Sequence, residues 1–543
     1  MSCSHCTVHT LPVRMAFWFL PELLIPILVV LLVVLSLHIK STRSKNSLPP
    51  PQNWPIAGIL PSLVVNLHRL HDYIAAVLPS TGNSFMAPIA STTRFFVTCD
   101  PANVQHVFTS NHANYPKGEE FAQIFDVTSG SLFTADGESS RRLRARYQSV
   151  LSSPRLLASM ANCCHDKVEK GLLPFMARMA RTGAPLDIND VVSRLVFDLY
   201  ATTVLGVDPC RLSLLDMPPM QVADAMDTVM EVGFVRHIVP LFCWKLMRCL
   251  MVGPERRLAA AQGVLRRFTL EMVERRRKTV CSIGRLEENE EEQQARVTSS
   301  SVVDILSNYV NDPEYYENDD HLLQATLITY MIAGRDTIGT TLPWVFYNLA
   351  KNPHVVLGIR NKLAPIASTR KAAAPFDAGA MMVFEPEELK PLVYLQASLL
   401  ESMRLYPPIP IEREIMVSSD VMPSGHEVRA GDIVIISLYS MGRMEDLWGP
   451  DCQEYNPERW LSKDGGKLRH VPSHKFLAFN SGPRMCLGKD IAISQMKTIV
   501  AAVLWNFDVV GVLLDGQQAV EPKLSCLLQM KNGLKLKVQK REM

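Results

Sequence analysis

The chain has 543 residues, 47% of them hydrophobic and 20% charged, with a formal net charge of +2. That length supports a large core in one or more lobes, and the near-neutral balance gives no reason to expect a nucleic-acid partner. The twelve cysteines are scattered without disulfide-framework spacing, which favours a reducing compartment.

Residues 1–14 form a short leading segment. Its Cys3 and Cys6 make a CxxC with no second pair or histidine cluster at zinc spacing, so it is not read as a metal site. Residues 15–37, "MAFWFLPELLIPILVVLLVVLSL", are apolar enough over their length to span a bilayer, although Pro21, Glu22 and Pro26 weaken the first third. A cleaved signal peptide is the competing reading. No small-residue cleavage site closes the run, and Lys40, Arg43 and Lys45 follow it while only Arg14 precedes it. The basic flank predicts a retained single-pass anchor with the body of the protein in the cytosol. Residues 38–58 are basic and then proline-rich, "SLPPPQNWPIAG" at their end, and read as a semi-rigid spacer.

The body, 59–543, is expected to be mainly α with a minor β portion. Residues 60–110 mix a helix with β-like runs such as "FFVTCD"; 140 to 275 are mostly helical; 281–300 carry an acidic run and read as a solvated loop. Residues 302–350 return to helix and include the apolar run "TLITYMIAGRDTIGTTLPW", broken by Gly334, Arg335, Asp336 and Thr337. A core helix has no ordinary use for Arg-Asp in such a face. Pro343 is expected to kink or loosen it. Residues 413–440 show short strands separated by "PSG" and "AGD" turns.

Near the C-terminus, "FNSGPRMCLG" (479–488) places a lone cysteine in a glycine turn. Gly482 and Gly488 permit close backbone approach. Pro483 stiffens the turn. Arg484 is a fixed cation suited to a carboxylate. The run after Gly488 is helical, so Cys486 precedes a helix N-terminus, whose dipole favours a thiolate. Such a thiolate suits an iron centre tuned by backbone N–H groups, and Phe479 could pack on a flat macrocycle. The bland alternative is a buried, inert cysteine.

These residues resemble the haem-binding signature of the cytochrome P-450 family, Phe-x-x-Gly-x-Arg-x-Cys-x-Gly, matched by Phe479, Gly482, Arg484, Cys486 and Gly488. Five fixed positions give a chance match on the order of 10⁻⁴. The resemblance implies a haem b iron with Cys486 as axial ligand, and the family's mainly helical fold. It also makes Glu401 and Arg404 of "ESMR", with Arg459 of "NPERW", a buried structural triad. "AGRDT" (333–337) resembles the family's oxygen-side segment: Gly334 leaves room for O₂, and Asp336 and Thr337 relay the protons that splitting it requires. Arg144 fits the family's Trp-x-x-x-Arg, but Ser140 stands where the tryptophan is usual. Either the haem is then held less tightly there, or Arg413 and Arg484 carry more of its anchoring. The neighbouring arginines 141, 142, 144 and 146 read either as a docking patch for an acidic electron donor or as a solvated face.

The segments around "AGRDT", "NPERW" and the cysteine loop look like those of plant fatty-acid ω-hydroxylases and mid-chain alkane hydroxylases. That resemblance implies an endoplasmic-reticulum monooxygenase acting on an apolar, long-chain aliphatic molecule, as in plant wax synthesis, with electrons from NADPH through NADPH–cytochrome P-450 reductase. "VGFVRHIVPLFCWKL" (232–246) could line a substrate entrance. Two alternatives stand beside this reading: an oxygen-independent haem isomerase or dehydratase of lipid hydroperoxides, and a haem-binding sensor without turnover.

Overall fold

The computed structural model describes residues 58–89, 93–212, 217–284, 303–310, 312, 320–373, 381–513 and 520–542. The apolar run 15–37, the spacer except for Gly58, and most of the acidic stretch lie outside them. None of the described helices is long and apolar enough to cross a membrane. The nine cysteines whose side chains are described are all free.

The body is mostly helical with a small sheet portion, as expected. The helices that build the site are α1 (Gly118–Ile124), α2 (Gly137–Leu151), α3 (Ile188–Leu205), α4 (Gln221–Ile238), α5 (Leu241–Cys249), α6 (Asp320–Met331), α7 (Thr337–Lys351), α8 (Val393–Leu405) and α9 (Lys489–Asn506). Helix α3 shows how local chemistry sets the bounds. Asp187 caps its start, accepting from the Asn189 N–H at 2.9 Å, and Gly206 ends it in the left-handed region at φ +70°. Its run "VVSRLVFDLYATTVL" is buried on nearly every side, so α3 is a central strut of the core.

Helices α6 and α7 form one long segment joined by a π turn, Ile332–Asp336. Such a turn inserts an extra residue and re-aims side chains, often at functional sites. The expected disturbance at Pro343 is not where the irregularity falls. Helix α7 continues through Pro343, which is buried, and the break in α geometry lies at the glycine-containing turn before it. Proline removes one backbone donor, and here close packing holds the helix past it.

Strands β1 (Ser84–Ile89), β2 (Thr93–Thr98), β7 (Ile433–Ser437) and β4 (Ile411–Ile415) form a four-stranded sheet in the order β1-β2-β7-β4. Aromatic and β-branched residues dominate β2 and β7, the composition that suits a half-buried pleat. The β2–β7 pair is parallel and the others antiparallel. Arg413 of β4 lies opposite Ile435 of β7. The turns expected within 413–440 are present, with Gly425 at φ +81° and Gly431 at φ +86°. A second sheet joins β3 (Leu186–Asp187), β9 (Lys535–Lys540) and β8 (Phe507–Leu513) in that order.

Candidate active site

The loop before α9 is held by its own backbone. The Cys486 N–H donates to the Phe479 carbonyl at 2.8 Å. Gly482 has φ +58°, and a Cβ there would lie 2.1 Å from the Phe108 carbonyl oxygen, so only glycine fits. Gly488 differs from expectation. Its φ is −92°, and a Cβ would lie 4.0 Å from the Cys486 Sγ, an ordinary contact. Conformation does not demand glycine there. The Gly488 N–H instead serves the thiol as a donor.

Cys486 is exposed on a cavity of about 500 Å³, while the protein behind the loop shields the thiol from bulk water on its other side. Burial pushes its pKa above the ordinary thiol value; the Gly488 N–H, then Arg144 and Lys489, pull it back without reversing the shift. The helix dipole expected to favour a thiolate is thus opposed by desolvation. Desolvation outweighs the nearby donors, and a coordinated metal ion is what deprotonates a thiol outright.

Phe479, Arg484, Arg144, Arg413, Gly488 and Ser140 all line this cavity. Arg144 bonds the Met485 carbonyl, tying α2 to the cysteine loop. Arg484 contacts Asp136 at 3.1 Å and the Tyr115 carbonyl at 3.2 Å, and forms an ion pair with Glu414. Burial pushes Glu414 up to about 7, with Arg484 opposing. Arg413 is 6% exposed and reaches Glu120 at 2.7 Å, while its Nε and Nη1 are buried without a partner. Unsatisfied buried guanidinium donors are costly. Here they sit on the wall of a cavity that also holds a thiol, which fits a flat iron cofactor with carboxylate side groups. Of the four arginines of α2, Arg141 and Arg142 are exposed. Arg144 and Arg146 turn to the protein, Arg146 meeting Asp312 at 2.7 Å. Only part of that cluster is a surface patch.

The "AGRDT" residues divide between two cavities. Thr337 faces the Cys486 cavity, its Oγ1 donating to the Ala333 carbonyl at 2.6 Å. Asp336 does not line that cavity. It is 2% exposed and faces a second, polar one of about 410 Å³. There Arg335 donates to Asp336 at 2.7 Å, to Asp227 of α4 at 2.5 Å and to Ser193 of α3 at 2.8 Å. The Asp336 Oδ2 has no partner, and burial raises its pKa against the pull of Arg335. The expected Asp336–Thr337 pair thus straddles the π turn. Gly334 lines the Cys486 cavity, but a Cβ on it would lie 1.8 Å from the Tyr200 ring. Packing against α3 is therefore a second reason for that glycine.

The triad is assembled. Arg404 makes two bonds of 2.8 Å to Glu401, and Arg459 approaches Glu401 at 3.4 Å. The Trp460 indole and the Asn456 N–H also donate to Glu401. Arg459 spends more of its donors on Asp451. Glu401 is fully buried, so Glu401→Ala leaves Arg404 uncompensated. The expected loss is about 3–5 kcal/mol of stability, read by chemical denaturation. Glu401→Gln, which keeps the shape, should lose less.

Tyr200, Asp227 and Lys117 were not singled out from sequence, and nothing in their local spacing marks them. The 232–246 run does reach the cavity, through Phe234, His237 and Ile238.

A thiol on a glycine loop, buried guanidinium donors beside it and a π-turned helix across the cavity define a cofactor-dependent oxidative enzyme. Residues 48–538 match the cytochrome P450 family model. The chain is 35% identical over 523 residues to noroxomaritidine synthase 2 of Narcissus pseudonarcissus, covering 96% of each. It is 35% identical over 500 residues to alkane hydroxylase MAH1 of Arabidopsis thaliana, covering 91% of this chain and 94% of that one. It is 33% identical over 518 residues to cytochrome P450 86B1 of Arabidopsis thaliana, covering 94% and 89%. The chain belongs to the cytochrome P450 family, and it is a cytochrome P450 monooxygenase.

Proposed function

We propose that this is a membrane-anchored haem-thiolate monooxygenase that hydroxylates long-chain aliphatic molecules, alkanes or fatty acids. Electrons come from NADPH through NADPH–cytochrome P450 reductase, the anchor sits in the endoplasmic reticulum membrane, and plant wax is the setting in which such products serve. The observation that carries this reading is the cavity between Cys486 and Thr337, walled largely by residues such as Phe85, Phe95, Leu132, Met230, Phe234 and Ile338. An apolar chain gains from every wall it covers. Cys486 would hold the iron of haem b, Phe479 would cover its loop side, and Arg144, Arg413 and Arg484 would hold the propionates. Haem, when bound, supplies the iron centre that activates O₂ for insertion of one oxygen atom into a C–H bond. Thr337 places a hydroxyl on the wall of the same cavity, where it can hold or pass a proton.

The test is NADPH consumption and product formation with reductase, offering a long-chain alkane and a fatty acid separately. NADPH-dependent hydroxylation of either supports the reading. Turnover of a lipid hydroperoxide without NADPH indicates an isomerase, and haem binding with no turnover indicates a sensor.

The anchor has its own expected result. Helix α5 and the turn after it expose Phe242 (73%), Leu246 and Leu250, an apolar rim beside the cavity-lining end of α4. Deleting residues 1–46 should release much, but not all, of the protein from membranes, because this rim remains. Fractionation of full and shortened chains measures it. Full-length protein that already fractionates away from membranes overturns the anchor.

A further inference from the structure

One wall of the cavity is set by a close contact between a helix backbone and a phenyl ring. Gly233 lies in the buried interior of α4, among the cavity-lining residues Met230, Phe234 and His237. A helix interior disfavours glycine, whose backbone freedom must be removed on folding. Space is the reason for it here. A Cβ at this position would lie 2.8 Å from the Phe125 Cε1 and 3.2 Å from its Cζ, inside ordinary carbon–carbon contact. The Phe125 ring therefore rests directly on the α4 backbone. It is 3% exposed, and Phe121 and Phe133 flank it with ring centres 4.9 Å and 5.1 Å away. All three phenyl rings line the Cys486 cavity.

Helix α4 is also fastened to the turn that carries this ring. Arg236, one helical turn beyond Gly233, is 1% exposed. It donates to the Ile124 carbonyl at 2.8 Å and to the Gln123 carbonyl at 3.1 Å, the two residues just before Phe125. Its other donors meet Glu255 at 2.7 Å and 2.6 Å, and its guanidinium lies 4.4 Å from the centre of the Trp244 ring on α5. Pulling α4 off the turn would strand this buried charge, a costly separation. We propose that the Gly233–Phe125 contact sets how long an aliphatic chain the cavity accepts. With α4 held by Arg236 and phenyl rings on its flanks, the Phe125 ring yields toward the cavity it lines. It acts as an end-stop whose depth depends on the missing side chain at 233. The inference rests on the aliphatic reading above and adds a limit on chain length to it.

The experiment titrates purified holoprotein with dodecane, hexadecane and eicosane in detergent micelles. It follows the haem absorption change on binding and, separately, the carbon at which product forms. Gly233→Ala, Phe125→Leu and the double variant are compared with the wild type. The added methyl makes the ring retreat by about 1 Å to reach ordinary contact. In Gly233→Ala, eicosane should therefore weaken relative to dodecane, by about fourfold for each methylene that is no longer buried. Phe125→Leu removes the ring and should move the preference toward the longer chain. The double variant should behave like Phe125→Leu, because the ring that carries the effect of the methyl is gone. Loss of core packing alone would lower stability without changing the ratio of long-chain to short-chain affinity, and an unchanged ratio in both single variants overturns the proposal. So does a double variant in which Gly233→Ala keeps its full effect. Should Gly233→Ala yield no holoprotein, its recovery on adding Phe125→Leu, with the longer-chain preference, supports the contact, and no recovery overturns it. A wild type that binds none of the three alkanes overturns the aliphatic reading itself, and the length limit with it.

Discussion

Replacing Cys486 with serine is expected to abolish the absorption band that reduced, carbon-monoxide-bound haem shows when a thiolate is its ligand. Serine keeps the size of the side chain and the backbone bond to Phe479. What it loses is the soft sulfur donor. The lifted thiol pKa sharpens the expectation. Free of metal, the side chain favours its neutral form, so the apoprotein thiol should react slowly with alkylating reagents at neutral pH. A serine variant that kept the band would remove Cys486 as the ligand, whatever its activity.

Thr337→Ala is expected to separate electron use from product. The threonine hydroxyl is on the cavity wall, bonded back to Ala333 within its own helix, so its removal should leave cofactor content and substrate binding nearly intact. General acid–base contributions of this kind are worth about 10²–10⁴ in rate. Product per NADPH should therefore fall steeply while NADPH use persists, the oxygen leaving as hydrogen peroxide. A threonine that only packs would, on truncation, lower stability slightly and leave the ratio unchanged. Coupling efficiency in the two proteins decides between these outcomes. Thr337→Ser, which keeps the hydroxyl, should retain most of the ratio.

What could be read in advance was what short-range spacing encodes. Glu401 and Arg404 lie three apart on one helix, where side chains meet, and both groups need burial partners in an apolar run; Arg459 joined them only through the family resemblance. The loop 479–488 carries its own turn chemistry in Gly482 and Pro483. Asp336 shows the limit. Adjacent helical residues point in different directions, and the π turn adds a shift that no pattern of apolar residues reports, so the sequence could not say which of Asp336 and Thr337 faces the thiol. Arg335 was noticed as out of place in an apolar face. Its explanation lies in Asp227 and Ser193, more than a hundred residues upstream on two other helices. Lys117 and Tyr200 matter only through where the chain brings them, and their local sequence looks like that of any amphipathic segment. The desolvation that opposes the helix dipole at Cys486 was not legible either, because it depends on everything packed around the sulfur.

The reach of the cavity along the chain has a consequence in time. Its walls include Ile59 at one end and Leu527 at the other, and strand β2 finds its parallel partner β7 only across the interval from Phe95 to Ile433. Contacts that distant form late, because the loop between them must first close. A nascent chain leaving the ribosome would carry its first hundred residues, and any membrane anchor, well before the cysteine loop has been made. The cavity is complete only once the chain has been made as far as Leu527, so an iron cofactor is expected to load late in synthesis or after it.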